Sequence, residues 1–131
     1  MLAKITVADY MTKHVFTLKK DTSVLEAIKS LLAHKVTSAP VVDEHGKLIG
    51  MFSEKDSMKV VLECAYNQSM SGTVGEFMTT ELLTVEADSS IVDLAERFKD
   101  STVRTFPVFR NSDLVGIVSR TDILKALISI K

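Results

Sequence analysis

Gly50-Met51-Phe52-Ser53-Glu54-Lys55-Asp56 returns later in the chain as Gly116-Ile117-Val118-Ser119-Arg120-Thr121-Asp122. In both stretches an apolar run that reads as the end of a strand meets a serine, and an aspartate follows three positions on. The echo extends outward over nearly the whole sequence. Val7-Ala8-Asp9-Tyr10-Met11-Thr12 matches Val74-Gly75-Glu76-Phe77-Met78-Thr79. Thr17, Asp21, Ser23, Val36, Pro40 and Val41 recur as Thr84, Asp88, Ser90, Val103, Pro107 and Val108. The offset is 67 positions, falling to 66 after a shortened turn. A repeat this long is a small fold used in duplicate rather than a solenoid unit. Two copies imply a pseudo-symmetric pair, with a ligand expected in the cleft between them.

The 131 residues suffice for one compact domain, while each half alone is near the lower limit for a self-sufficient core. The halves are therefore expected to fold against each other. With 46% hydrophobic and 25% charged residues, the composition is that of a soluble globular protein. A net charge of −1 gives no general attraction to nucleic acid or to an anionic membrane. The single cysteine, Cys64, excludes an intramolecular disulfide framework and metal sites built from several cysteines. No apolar run approaches the roughly 20 residues that span a bilayer, and residues 1–10 lack a signal-peptide core. The expected compartment is a reducing cytoplasm.

Each copy reads as strand-helix-strand-strand-helix, a mixed α/β (α+β) unit. A short Thr-capped turn opens it, at Thr6 and again at Thr73. A strand is expected at Phe16-Thr17-Leu18 and at Leu83-Thr84-Val85. The helix that follows carries a capping-box spacing, Ser23 with Glu26 and Ser90 with Asp93. Val24, Ala27, Ile28, Leu31 and Leu32 share one face of it, as do Ile91, Leu94, Ala95 and Phe98 in the second copy. Strands at 39–42 and 47–52 flank Asp43-Glu44-His45-Gly46, and strands at 106–109 and 114–118 flank Asn111-Ser112-Asp113. Closing helices are expected at 54–66 and 120–130. The domain reading is repeat 1 over 4–66, a small polar linker over 67–73, and repeat 2 over 74–130.

The closing helices are apolar over most of their circumference. The first carries Met58, Val60, Val61, Leu62, Cys64, Ala65 and Tyr66; the second carries Ile123, Leu124, Ala126, Leu127, Ile128 and Ile130. One face of each can pack on its own sheet, and the remainder needs another cover. A homodimer through these helices is expected.

Two readings of the Ser-x-x-Asp pattern stand side by side. In one, serine at the N-cap and an acid at N3 satisfy free backbone donors at a helix start. In the other, the carboxylate, an acceptor with two oxygens, holds the adjacent hydroxyls of a ribose, and the helix N-terminus faces a phosphate or ribose oxygen. The same residues can serve both.

These elements together resemble a known family. Pro40-Val41-Val42-Asp43 paired with Gly50 to Asp56, repeated as Pro107-Val108-Phe109 with Gly116 to Asp122, is similar to a CBS domain pair, or Bateman module. So is Asp9-Tyr10-Met11-Thr12 ahead of Thr17. The resemblance covers about residues 4–130 and implies two β-α-β-β-α repeats packed as a stand-alone tandem module. Members of the family regulate channels and enzymes and bind adenosine-containing ligands such as AMP, ADP, ATP or S-adenosylmethionine.

The resemblance implies sites that mix the two copies. One joins Ser119, Arg120, Thr121 and Asp122 to Thr17, Val36, Thr37, Ser38 and Pro40, with Arg104 as phosphate partner. The other joins Ser53, Lys55 and Asp56 to Thr84, Val103, Thr105 and Pro107. The aspartate would hold the ribose, backbone groups beside Val36 or Val103 would read the adenine edge, and nearby apolar residues would sandwich the ring. The Asp122 site is favoured, because Arg104 and Arg120 can grip phosphate bidentately while Glu54 repels it. The chain lacks the histidine-arginine pair that the strongest family pattern carries just before the proline, which weakens the case for a polyphosphate.

The other candidates in the sequence are weak. His14, His34 and His45 are isolated and lack metal spacing. Cys64 has no basic neighbour and reads as a buried structural thiol, and Met58 and Met70 read as core or gap filler. There is no Ser-His-Asp constellation and no glycine-rich phosphate loop. The expected function is regulatory and not enzymatic: an adenosine nucleotide or S-adenosylmethionine as regulatory ligand, no required cofactor or metal, and an effector protein on a separate chain. The alternative is a nucleotide-free oligomerisation or interaction module in which the aspartates are helix caps alone.

Overall fold

The structure, a computed structural model, describes residues 2–68 and 71–129. After a 3₁₀ turn at Leu2–Lys4 come α1 (Val7–Tyr10), α2 (Val24–His34), β1 (Ser38–Val42), β2 (Leu48–Ser53) and α3 (Glu54–Asn67). The second copy supplies α4 (Val74–Phe77), β3 (Val85–Glu86), α5 (Ile91–Lys99), β4 (Thr105–Arg110), β5 (Asp113–Ser119) and α6 (Arg120–Ser129). The mixed α/β class and the duplicated order hold. Of the expected linker and closing helix, Ser69, Met70 and Ile130 lie outside the described residues.

The compact units cut across the sequence repeat. Phe16–Leu82 forms a first unit, and the segment ending at Val15 joins Leu83 onward to form a second. Each unit thus takes its Met-Thr opening segment from the other copy: Met78-Thr79 completes the first unit, and Met11-Thr12 the second.

In the first unit, β1 and β2 run antiparallel, with Ser38 opposite Ser53, Pro40 opposite Met51 and Val41 opposite Gly50. Leu18 makes a parallel bridge to Val41, and Thr79 an antiparallel bridge to Met51. The second unit repeats the plan. β3 pairs parallel with β4, β4 antiparallel with β5, and Thr12 bridges Ile117. The opening strand expected at Phe16–Leu18 is reduced to that single bridge, and its partner starts later than expected, at Val85. Ala87 explains the difference. It is buried, and its N–H reaches the Phe109 carbonyl at 2.8 Å, whereas the first copy has exposed Lys20 there and the chain turns away.

Gly50 and Gly116 let the opening segments approach. A Cβ on Gly116 would stand 2.6 Å from the Thr12 carbonyl oxygen, and one on Gly50 would stand 2.7 Å from Met78 Sδ and 3.0 Å from the Thr79 oxygen. The hairpins diverge. In the first, Asp43 Oδ1 accepts from the N–H groups of His45 and Lys47 at 2.8 and 2.9 Å, and Gly46 takes φ +80°. The second closes over Asn111 and Ser112, both left-handed at φ 51° and 73°, the conformation of a tight two-residue hairpin turn.

The core of the first unit gathers Leu18, Ala27, Leu31, Ala39, Val41, Phe52 and Val74. That of the second gathers Val7, Val85, Ala87, Leu94, Phe98, Phe106, Val108 and Val118. Leu32 departs from the expected core face and is 72% exposed, because it sits about 100° around the helix from buried Leu31. The caps also depart from the pattern. Ser23 accepts from Glu26 N and Ser90 from Val92 N, and neither forms the reciprocal box expected with Glu26 or Asp93. On the closing helices, Val61, Leu62 and Tyr66 of α3 and Leu124, Leu127 and Ile128 of α6 stay exposed; Met58 is exposed too rather than core filler, because it lies on the outer face of α3, and Cys64 is half-buried rather than buried. No helix among the described residues is long and apolar enough to cross a membrane.

Candidate functional site

Each Ser-x-x-Asp element stands where a strand runs directly into a helix. Ser53 ends β2 and caps α3; Ser119 ends β5 and precedes α6. In both, the serine hydroxyl accepts from the aspartate N–H, at 3.1 Å for Asp56 and 3.3 Å for Asp122. The aspartate Oδ2 accepts from the serine N–H in return, at 2.9 and 2.8 Å. The serine hydroxyl donates to the same oxygen, at 3.0 and 3.1 Å. The capping reading of the sequence is therefore realised twice.

The pre-proline segment of each copy lies beside its own Ser-x-x-Asp element. In the first unit Ser38 pairs with Ser53, and the Thr37 carbonyl accepts from Glu54 N at 2.9 Å. In the second, Thr105 pairs with Ser119, and the Arg104 carbonyl accepts from Arg120 N at 3.3 Å. Arg104, Arg120, Thr121, Ser119 and Asp122 therefore share one unit, with Arg104 flanking the start of α6 from its own side. Thr17, Val36, Thr37, Ser38 and Pro40 belong to the first unit, as do Ser53, Lys55 and Asp56. Thr84, Val103, Thr105 and Pro107 belong to the second.

The second oxygen separates the two aspartates. Asp56 is 2% exposed, and its Oδ1 accepts from the Thr79 hydroxyl at 3.1 Å and from Lys59 Nζ at 3.2 Å. Thr79 also stands 3.4 Å from Oδ2. Asp122 is 9% exposed, and among the described residues nothing donates to its Oδ1. Thr12 and Lys125 hold the places of Thr79 and Lys59 in the repeat, yet neither bonds to Asp122. A carboxylate offers about four lone-pair sites. All are taken at Asp56, and two remain at Asp122.

Thr79 and Lys59 are the residues that sequence reasoning passed over. The Met-Thr echo was visible, but nothing in it pointed to a carboxylate 23 positions away. Two other contacts went unread as well. Arg97 donates to the Thr84 carbonyl at 2.8 Å and lies 4.5 Å from the centre of the Phe106 ring, and Phe16 stacks on His34 at 4.0 Å. His34 Nδ1 also pairs with the Ser30 carbonyl at 2.8 Å. Among the described residues, no group of three or more His, Cys, Asp or Glu is placed to hold a metal ion.

Comparison with known proteins places this geometry. The chain is similar to the CBS domain pair of protein MJ0100, solved with 5′-methylthioadenosine and S-adenosyl-L-methionine. The TM-score is 0.82 and the identity 30%, over 97% of this chain and 98% of that one. It is similar also to CBSX2, solved in complex with AMP, with TM-score 0.82 and 29% identity over 95% of this chain and 97% of that one. Among curated proteins, the uncharacterized protein MJ1225 of Methanocaldococcus jannaschii is 27% identical over 92% of this chain. The chain spans 42% of that relative's length, and 32% of a second relative from the same organism. The CBS domain family profile matches residues 7–63 and 74–129, the two copies of the repeat, so the chain belongs to the CBS domain family as a tandem pair.

Proposed function

We propose that this chain senses an adenosine-containing ligand, AMP, ADP, ATP or S-adenosylmethionine, and passes binding on to a separate partner protein. The observation that carries this reading is the open Oδ1 of Asp122. The two hydroxyls of a ribose donate two hydrogen bonds, and Asp122 has two lone-pair sites to receive them. Ser119, Thr121 and the N-terminus of α6 suit a phosphate or ribose oxygen, and Arg104 and Arg120 flank the same helix start as phosphate partners. Family likeness adds Thr17, Val36, Thr37, Ser38 and Pro40 for the adenine. It names Ser53, Lys55, Asp56, Thr84, Val103, Thr105 and Pro107 as a second set. The adenosine ligands held by MJ0100 and CBSX2 support the choice of ligand class. Catalysis is not part of this reading, and the proposed compartment is the cytoplasm.

Thermal unfolding tests it. AMP and S-adenosylmethionine at about 100 times their dissociation constants stabilise by about 2.7 kcal/mol. We expect the AMP shift to shrink with 2′-deoxy-AMP, which lacks one ribose hydroxyl, and to vanish in Asp122→Ala. Failure of every adenosine compound to move the midpoint would sink the reading.

A second reading has its own support. The exposed Met58, Val61, Leu62 and Tyr66 on α3, and Leu124, Leu127 and Ile128 on α6, are apolar faces of the kind that mark interfaces. We propose a homodimer through them. If no nucleotide binds, an oligomerisation module is what these faces leave. Sedimentation of the wild type against Leu62→Glu and Leu124→Glu tests the dimer, which those charges should dissociate.

A further inference from the structure

Resting on the adenosine-binding reading, we propose that Thr79 and Lys59 hold the Asp56 carboxylate shut, so that the chain takes up nucleotide at Asp122 and none at Asp56. Helix capping does not require these two contacts. Asp122 makes the same bonds to Ser119 that Asp56 makes to Ser53, and it does so with Oδ1 left open. The Thr79 and Lys59 bonds to Oδ1 are additional, and they fill the lone pairs that a ribose would need.

The two donors differ in how firmly they are held. Thr79 is pinned through its backbone: Met51 N–H donates to its carbonyl at 2.9 Å, and its own N–H donates to the Met51 carbonyl at 2.8 Å. Gly50 closes the space behind it, with room for no Cβ against Met78 and the Thr79 oxygen. The backbone pairing therefore holds the Thr79 Cβ beside Asp56, so that only a change of the χ1 rotamer takes the hydroxyl away. Lys59 reaches in from a side chain that is 56% exposed, so it is the looser half of the closure. Removing it nevertheless strips a cation from a carboxylate buried at 2% exposure, an exchange that a neutral diol does not compensate. Thr79 and Lys59 are thus specificity-determining residues: they decide which of two equivalent carboxylates is free to bind.

Isothermal titration of the full chain with AMP tests this, with folding checked by circular dichroism. We expect one AMP per chain for the wild type and two for Thr79→Val/Lys59→Met. Adding Asp122→Ala to that double variant should return the count to one, now through Asp56. Lys59→Met alone is the variant least able to disturb the fold. It should show a second event about tenfold weaker than that of the double variant, the worth of one hydrogen bond to a charged group. Two equivalents on the wild type, or one on the double variant, would overturn the closure while leaving the Asp122 reading intact. Binding seen only after Thr79 and Lys59 are replaced would support the closure and refute the Asp122 reading. No binding by any variant would overturn both.

Discussion

Asp56 and Asp122 stand at the same step of the repeat, cap the same kind of helix, and accept the same two bonds from the serine three residues before them. They are nevertheless different chemical groups. One is enclosed, with a lysine and a threonine on its outer oxygen; the other, among the described residues, is left with an open oxygen. Matching residues in a duplicated sequence therefore do not make matching sites. What separates them is which donors the tertiary packing brings to one atom, since Thr12 and Lys125 are present in the second unit and neither bonds to Asp122.

The largest effect should break that comparison most directly. Asp56→Ala removes a cap, a buried hydroxyl partner and an ion pair together, and should cost about 3 kcal/mol. Asp122→Ala removes little more than a cap and should cost about 1 kcal/mol. Urea denaturation of both variants decides it, and equal losses would mean that Thr79 and Lys59 contribute nothing to Asp56.

The two glycines come next. Gly116→Ala places a methyl 2.6 Å from a backbone oxygen, whereas at Gly50 the nearest atom is the sulfur of a flexible methionine. The first should cost about 2 kcal/mol and the second about 1 kcal/mol. The reverse order in denaturant midpoints would show that the Met78 side chain is the more rigid obstacle.

The hairpins sharpen the contrast further. Ser112 holds φ 73°, so Ser112→Gly relieves strain and should stabilise by about 0.5 kcal/mol. In the first hairpin Gly46 already occupies φ +80°, and Gly46→Ala should cost about 1 kcal/mol. Thermal midpoints moving in opposite directions confirm the pair.

The smallest effect concerns pH. The N–H of Lys47, and then that of His45, hold the Asp43 carboxyl below its ordinary value of 3.8. A lowered native value means that the contribution is complete above the unfolded value and is lost as pH falls through the folded one. Asp43→Asn should therefore flatten stability only below about pH 4, the range where an unperturbed aspartate titrates. Arg110→Ala, at the matching position of the other hairpin, should leave the acid limb unchanged.

Much of the fold was legible. Helical spacing located α2 and α5, Gly46 and the Asn111-Ser112 pair marked the hairpins, and the serines before α3 and α6 marked those helix starts. Leu32 misled because it is apolar and adjacent to Leu31, and spacing alone does not say where a buried stripe ends. Ser90 misled because the three-residue spacing to Asp93 permits a capping box without enforcing it, and the hydroxyl found Val92 instead. Of the candidate site, the two Ser-x-x-Asp elements were readable because capping is local. The closing contact on Asp56 was not, because Thr79 reaches it from 23 residues away.

By itself the sequence determined the duplication, the order of elements, the two hydroxyl-carboxylate caps and the family, since all of these rest on residue types at short spacing. Only the tertiary structure decided that each opening Met-Thr segment completes the unit of the other copy, and that one aspartate is sealed while its twin stays open. The reason is physical. Repeat spacing governs which groups are available, but a carboxylate's state depends on which donors come within about 3 Å of each oxygen, and that is settled by how distant segments pack.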